Sequence, residues 1–207
     1  MSDVFETAST EIETIYGAFK LHVFSFGPNE QDNVLCLEAG GPNKDSRPKI
    51  RVQSACYTGE IFRSTDCDCH EQLDESLKSI HHDGGYFIYM LADGRGAGLL
   101  TKIRGLALGV TDGLDTFDAY ERLGILPDPR NYDRVIQVAR ALGVQRGELL
   151  TNNPRKLDAF TSAGIELERV SLDIAPTPAS IGYLQTKRAK FGHLIKELSV
   201  DLSQTDS

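Results

Sequence analysis

The spacing of apolar residues changes once along this chain, and that change restricts its fold more than any other feature. Up to residue 53 the apolar positions fall in short β-branched or aromatic-rich segments: 17–26 (GAFKLHVFSF), 33–38 (NVLCLE) and 49–53 (KIRVQ). Turn clusters such as Gly40-Gly41-Pro42-Asn43 separate them, so they read as strands. From Asp68 the period becomes helical, with Leu73, Leu77 and Ile80 on one face and Gly84-Gly85 placed to stop the helix. Residues 86–91 (YFIYML) then read as a buried strand. Leu99, Leu100, Ile103, Leu106 and Ala107 form the apolar stripe of a helix ending at Gly109, and Tyr132, Val135, Ile136, Ala139 and Leu142 do the same for a helix closed by Gly143. Residues 148–150 predict a strand, Asn153 caps a helix opening on Pro154, 165–170 returns as a strand, and a last helix spans about 182–198. A strand-rich N-terminal part followed by an α/β-alternating C-terminal part predicts an α+β, or mixed α/β, architecture.

The 207 residues include 22 Lys+Arg against 30 Asp+Glu, a formal net charge of −8, with 40% hydrophobic and 25% charged residues. Those values exclude disorder as the main state. They fit one domain, placed at 1–200 with a polar tail at 201–207. No apolar run nears the roughly 18 residues of a membrane span. Acidic residues stand where a signal peptide needs a basic segment, so the expected location is the cytoplasm. An acidic pI near 5.1 argues against a nucleic-acid or membrane-surface binder, while leaving room for a local basic cleft.

Chemistry concentrates in three places. Cys56 is followed, ten residues on, by Cys67-Asp68-Cys69. Three thiolates of this kind can fill three corners of a zinc tetrahedron and leave the fourth for water. The same spacing suits a structural zinc completed by His70, Cys36, His81 or His82, or plain buried thiols. Asp93-Gly94-Arg95-Gly96-Ala97-Gly98 links a strand to a helix, where free N–H groups and Arg95 could hold a phosphate; an ordinary flexible turn reads similarly. Basic residues fall on loops or helix starts at Arg51, Lys102, Arg104, Arg130, Arg155 and Lys156. Taken singly, such charges are usually solvated surface. Thr151-Asn152-Asn153-Pro154-Arg155-Lys156 gathers a hydroxyl, two amides and two cations at a strand-to-helix turn, and Asp128-Pro129-Arg130 sets a carboxylate beside a guanidinium.

Together these segments resemble GTP cyclohydrolase II, which opens the purine ring of GTP at the start of riboflavin synthesis. The resemblance runs from about Arg51 to Val170, through RVQSACYTGEIFRSTDCDCHEQL, DGRGAGLLTKIRGLAL, GLDTFDAYERLG and LLTNNPRK in the family's order, and continues weakly through Thr186-Lys187 and Gly192-His193-Leu194. It implies the family's fold, a homodimer, and one catalytic Zn²⁺ per chain on Cys56, Cys67 and Cys69 that activates water against C8 of guanine. Formate and pyrophosphate are released, with Mg²⁺ on the phosphates, leaving a 2,5-diamino-6-ribosylamino-pyrimidinone 5'-phosphate. By position, Arg130 attacks the α-phosphorus and Asp128 accepts a proton. Arg51, Gln53, Ser54, Gln72, Asp93, Gly94, Arg95, Thr116, Thr151 and Lys156 occupy nucleotide-contacting positions.

Departures from the family pattern cluster in the same site. His-Ser-Glu-Cys becomes Gln53-Ser54-Ala55-Cys56, Glu-Gly-Arg becomes Asp93-Gly94-Arg95, and the tyrosine of Arg-Ala-Tyr-Ala-Leu becomes Leu106. A phenol can donate to a developing tetrahedral centre and leucine cannot; losing one such donor typically costs ~10²–10³ in rate. Leucine at a stripe position would also suit a core filler. These residues fit a complete GTP cyclohydrolase II, a paralogue that stops at the formamidopyrimidine or takes another purine nucleotide, or a silent nucleotide-binding module. A zinc deaminase is set aside, because H-x-E followed by P-C-x-x-C is absent.

Overall fold

The computed structural model describes residues 6–43, 45–126 and 128–195. Among these residues, seven strands form one mixed sheet: β1 (Glu6–Thr14), β2 (Gly17–Ser25), β3 (Asn33–Ala39), β4 (Lys49–Ser54), β5 (Gly85–Met90), β6 (Arg146–Leu150) and β7 (Glu166–Val170), in the order β1-β2-β3-β5-β4-β6-β7. Strands β1, β2, β3 and β5 pair antiparallel, whereas β5, β4, β6 and β7 run parallel. The predicted division into strand-rich and alternating parts is therefore the division between the two halves of one sheet.

The helices are α1 (Tyr57–Glu60), α2 (Cys69–Asp83), α3 (Leu99–Asp112), α4 (Thr116–Arg122), α5 (Asp133–Ala141), α6 (Pro154–Ser162) and α7 (Ile181–Phe191). Alternating strand residues feed two cores. Val34, Cys36, Ile50, Val52, Ile88 and Leu149 pack with Val135, Val138 and Ala139 of α5 and Phe160 of α6 on one face. Phe19, Ala39, Phe87 and Leu150 pack with Leu77 and Ile80 of α2 on the other. Because α2 and α5 cover opposite faces, the connections leaving β4 and β5 diverge, opening a crevice at the carboxyl ends of β4, β5 and β6. Among the described residues no helix is long and apolar enough to cross a membrane.

Five details differ from the sequence-based expectation. Strand β1 is unannounced because ETASTEIET alternates no apolar face; it is an exposed edge held by its backbone ladder to β2. Helix α4 was also unforeseen: Asp115 caps it, accepting from the Phe117 and Asp118 N–H groups. Helix α3 runs past Gly109 to Asp112, where Gly113 takes the left-handed conformation at φ 70°. Its leucine stripe is not core either. Gly105 is the buried residue of α3, where a Cβ would lie 3.0 Å from the Tyr120 ring of α4, while Leu99, Leu100, Ile103 and Val110 are exposed. Finally, α7 ends at Phe191 because Gly192 turns left-handed at φ 65°; residues 196–198 of the predicted helix, and the tail at 201–207, lie outside the described residues.

Candidate active site

Cys56 lies between β4 and α1, while Cys67 and Cys69 lie at the entry to α2, and their sulfurs all fall within 4.8 Å of one another. Cys56 Sγ and Cys67 Sγ are 3.7 Å apart. A tetrahedron with Zn–S bonds near 2.3 Å has an edge of about 3.8 Å, which the Cys56–Cys67 edge matches, so the chemistry of the three-thiol donor set suits zinc. Gly59 of α1 sits directly beneath: a Cβ there would lie 2.7 Å from Cys67 Sγ and 3.3 Å from Cys56 Sγ. Hydrogen bonds from the Cys67 and Cys69 thiols hold Cys56 far below the usual thiol range, and Cys67 is pushed up to about 11 by the same sharing. Lys102 Nζ adds a donor to Cys56 Sγ at 3.2 Å and reaches Asp93 at 3.0 Å.

None of the candidate fourth ligands joins the cluster. Cys36 is sealed in the sheet core, His70 pairs with Asp74 at 3.3 Å, His81 packs on Phe19 and His82 pairs with Asp83. Among the described residues the group is three sulfurs, open on the cavity side.

That cavity is lined by Arg51, Gln53, Ser54, Ala55, the three cysteines, Gln72, Asp93, Gly94, Arg95, Thr116, Arg130 and Lys156, which the chain supplies from six separate segments. Asp93 fixes the glycine loop, accepting from the Gly94 N–H at 2.5 Å and the Tyr57 N–H at 2.9 Å. Gly94, Arg95 and Gly96 follow with positive φ of 60°, 56° and 88°. This conformation is costly for the one residue with a side chain. It lays the Arg95 guanidinium 3.9 Å over the Phe191 ring, and both terminal nitrogens are buried without a hydrogen-bond partner. A buried cation with two unmet donors calls for an anionic ligand.

Arg51 is 4% exposed, and burial lowers it to about 10. Lys156 is buried as well, its Nζ donating to the Val52 carbonyl at 2.6 Å; burial, then Arg51, Arg130 and Lys187, push it well below the usual lysine range. Arg130 grips Asp128 with two bonds of 2.7 Å, and Arg155 reaches the same carboxylate at 2.6 Å. Burial opposes the Asp128 anion, but these cations outweigh it and hold the carboxyl below its usual range. Asp128 and Thr151 stand behind the cavity wall: the first contacts it through Arg130, while the Thr151 hydroxyl accepts the Asn153 N–H at 3.1 Å. Arg104 is exposed on α3. Leu106 faces the cavity at 37% exposure, which removes the core-filler reading of that departure.

Helix α7 lines the cavity with Tyr183, Lys187 and Phe191, and the turn after it adds His193. Lys187 Nζ donates to Asp68 Oδ1, between two cysteines, at 2.8 Å and lies 4.3 Å from the Tyr183 ring centroid. Burial, then the surrounding cations, lower His193 to about 3. The only sequence signal for these residues is the weak similarity at Thr186-Lys187 and Gly192-His193-Leu194, since no local period encodes a contact between Lys187 and Asp68.

Comparison with known proteins gives one family. The family model for GTP cyclohydrolase II matches residues 6–171. The chain is 40% identical over 190 residues to GTP cyclohydrolase-2 of Hahella chejuensis, covering 91% of each protein. It is 38% identical over 192 residues to GTP cyclohydrolase-2 of Shewanella pealeana, covering 92% of this chain and 91% of that one. It is 40% identical over 194 residues to the riboflavin biosynthesis protein RibBA of Aquifex aeolicus, covering 92% of this chain and 47% of the relative. The chain thus spans about half the length of RibBA relatives.

Proposed function

The chain belongs to the GTP cyclohydrolase II family, and from that premise we propose that it is a zinc-dependent hydrolase that opens the imidazole ring of GTP. The products are pyrophosphate, formate and a diaminopyrimidinone ribonucleotide monophosphate, in a riboflavin-type pathway. The observation that carries this reading is a cavity joining a triangle of three thiols to the Arg95 guanidinium, whose two terminal nitrogens are buried without a hydrogen-bond partner.

Cys56, Cys67 and Cys69 would hold the zinc ion, which would supply Lewis acidity for activating water near neutral pH. The protein does the rest. Arg51, Arg95, Arg130, Lys156 and Lys187 surround the cavity with positive charge for a triphosphate carrying Mg²⁺. Gln72 and Thr116 border the remaining space, together with the Ser54, Asp93 and Gly94 segment ends. The Asp128 carboxylate lies against the Arg130 guanidinium and can accept its proton as a guanidinium nitrogen bonds to the α-phosphorus, the bond from that phosphorus to the bridging oxygen breaks and pyrophosphate leaves; water then cleaves the P–N bond to give the monophosphate and restores Arg130. Thr151 supports Asn153, which caps the helix carrying Lys156. A second copy of the chain covers the exposed apolar face of α3 in the proposed homodimer, and the cytoplasm is the proposed location.

Leu106 favours a second reading. It occupies the cavity wall where a phenol would stand, so the step that expels formate lacks a donor and the formamidopyrimidine nucleotide accumulates. A silent module is disfavoured because both the sulfur triangle and the phosphate cations are kept. Product mass spectrometry with a formate assay, on zinc-replete protein given GTP and Mg²⁺, separates the three. Formate with a diaminopyrimidinone product supports the first reading, a retained formyl carbon the second, and unchanged GTP the third.

A further inference from the structure

Gln53 stands where the family carries an imidazole, and its side chain is 3% exposed with every hydrogen-bonding valence engaged. Its oxygen accepts from Arg51 Nε at 2.9 Å and Arg51 Nη2 at 2.5 Å. Because a guanidinium only donates, the amide orientation is fixed and the nitrogen must point the other way. There it donates to Glu60 Oε1 at 2.8 Å and to the Cys69 carbonyl at 3.1 Å. The second oxygen of Glu60 accepts the Cys56 N–H at 3.3 Å and the Tyr89 hydroxyl.

We infer that Gln53 is a positioning residue for the metal site: one amide holds the Cys69 backbone directly and the Cys56 backbone through Glu60, setting the spacing of two of the three thiols. The inference rests on the reading of the cysteine triangle as a zinc site. The demand is for two acceptor and two donor valences in one planar group. A neutral imidazole presents one of each, and a carboxylate presents no donor. With almost no solvent at this position, water cannot replace a missing partner. The residue on the far side is held by the same network. Arg51 donates to Gln72 at 2.6 Å and Gln72 to Asp68 at 2.5 Å, so the Cys67-Asp68-Cys69 turn is braced from two directions.

The test is zinc affinity, measured by competition with a chromogenic chelator on the full chain, alongside the melting midpoint of zinc-free protein. Wild type, Gln53→Leu, Gln53→Glu and Gln53→His are compared with Cys56→Ser. Partners outside the ligand set commonly contribute 10–100-fold to metal affinity, so Gln53→Leu and Gln53→Glu should each bind zinc roughly 10–100-fold more weakly. Gln53→His should fall between them and wild type, since it keeps one donor. Gln53→Glu keeps the Arg51 contact and the side-chain volume, so it decides the matter if the leucine variant aggregates. Wild-type affinity in Gln53→Glu, with zinc lost from Cys56→Ser, overturns the positioning role, as does a loss of zinc-free stability with affinity unchanged. Failure of wild type to bind zinc overturns the zinc reading itself and is visible before any variant is compared.

Discussion

Gly59 is a glycine because two sulfurs occupy the space its side chain would fill. Gly59→Ala should therefore lower bound zinc well below one per chain while leaving the zinc-free protein folded, as elemental analysis and circular dichroism would report. Wild-type zinc content would mean that α1 yields freely. His193 offers a pH test. Its pKa in the folded chain lies near 3, against 6.5 in a free histidine, so below pH 6.5 the unfolded chain takes up a proton that the folded chain refuses. Stability is then lost progressively as pH falls from 6.5 toward 3. Between pH 7 and 5, wild type should lose more unfolding free energy than His193→Gln in urea titrations; parallel profiles would place the loss elsewhere. At Leu106 the prediction concerns product. Leu106→Tyr should raise the ratio of formate to ring-opened nucleotide, and an unchanged ratio would show that the cavity wall does not govern that step. At this scale the cysteines, the glycine loop and the cations were legible, because ligand spacing and residue type are local. The saturation of the Gln53 amide was not, since its partners come from β4, α1 and α2.

Helix ends carry much of the site's precision. Asn153 accepts the Arg155 N–H at 3.0 Å and caps α6, the helix that brings Lys156 to the Val52 carbonyl. Asn153→Ala should cost about 1 kcal/mol of stability, measurable by urea denaturation, with nucleotide affinity falling alongside. That cap was readable from Asn153-Pro154, as was the stop at Gly143. The α4 cap is harder to see, although Asp115 does the same work, because the helix it opens spans about two turns, too short for an apolar period to show. Helix α3 shows where periodicity misleads. An apolar stripe at helical spacing implies a buried face, yet this helix packs through Gly105, whose missing side chain admits the Tyr120 ring, turns Leu99, Leu100 and Ile103 to the surface and points Leu106 at the cavity. Periodicity reports that a face is apolar, and only the packing partner decides what covers it.

Across the whole molecule, an acidic chain concentrates Arg51, Arg95, Arg130, Lys156 and Lys187 at the carboxyl ends of three adjacent strands, so net charge says little about what the crevice binds. The sheet was legible in outline because its two halves differ in hydrophobic period; the edge strand β1 was invisible because its backbone ladder to β2 carries a mostly polar, exposed sequence in which Ile12 packs against the core without an alternating apolar partner. The outward leucines of α3 bear on assembly. Ile103→Glu combined with Val110→Glu should convert a two-chain species to a single chain in sedimentation velocity, whereas an unaltered mass would place the interface elsewhere. The most direct measurement is the fate of GTP itself, followed by mass spectrometry with zinc-replete protein and Mg²⁺, and repeated with Cys56→Ser. The wild-type protein should yield a ring-opened pyrimidine nucleotide monophosphate, with one pyrophosphate per turnover, and the variant none. Zinc-loaded protein that leaves GTP intact would contradict the proposed function.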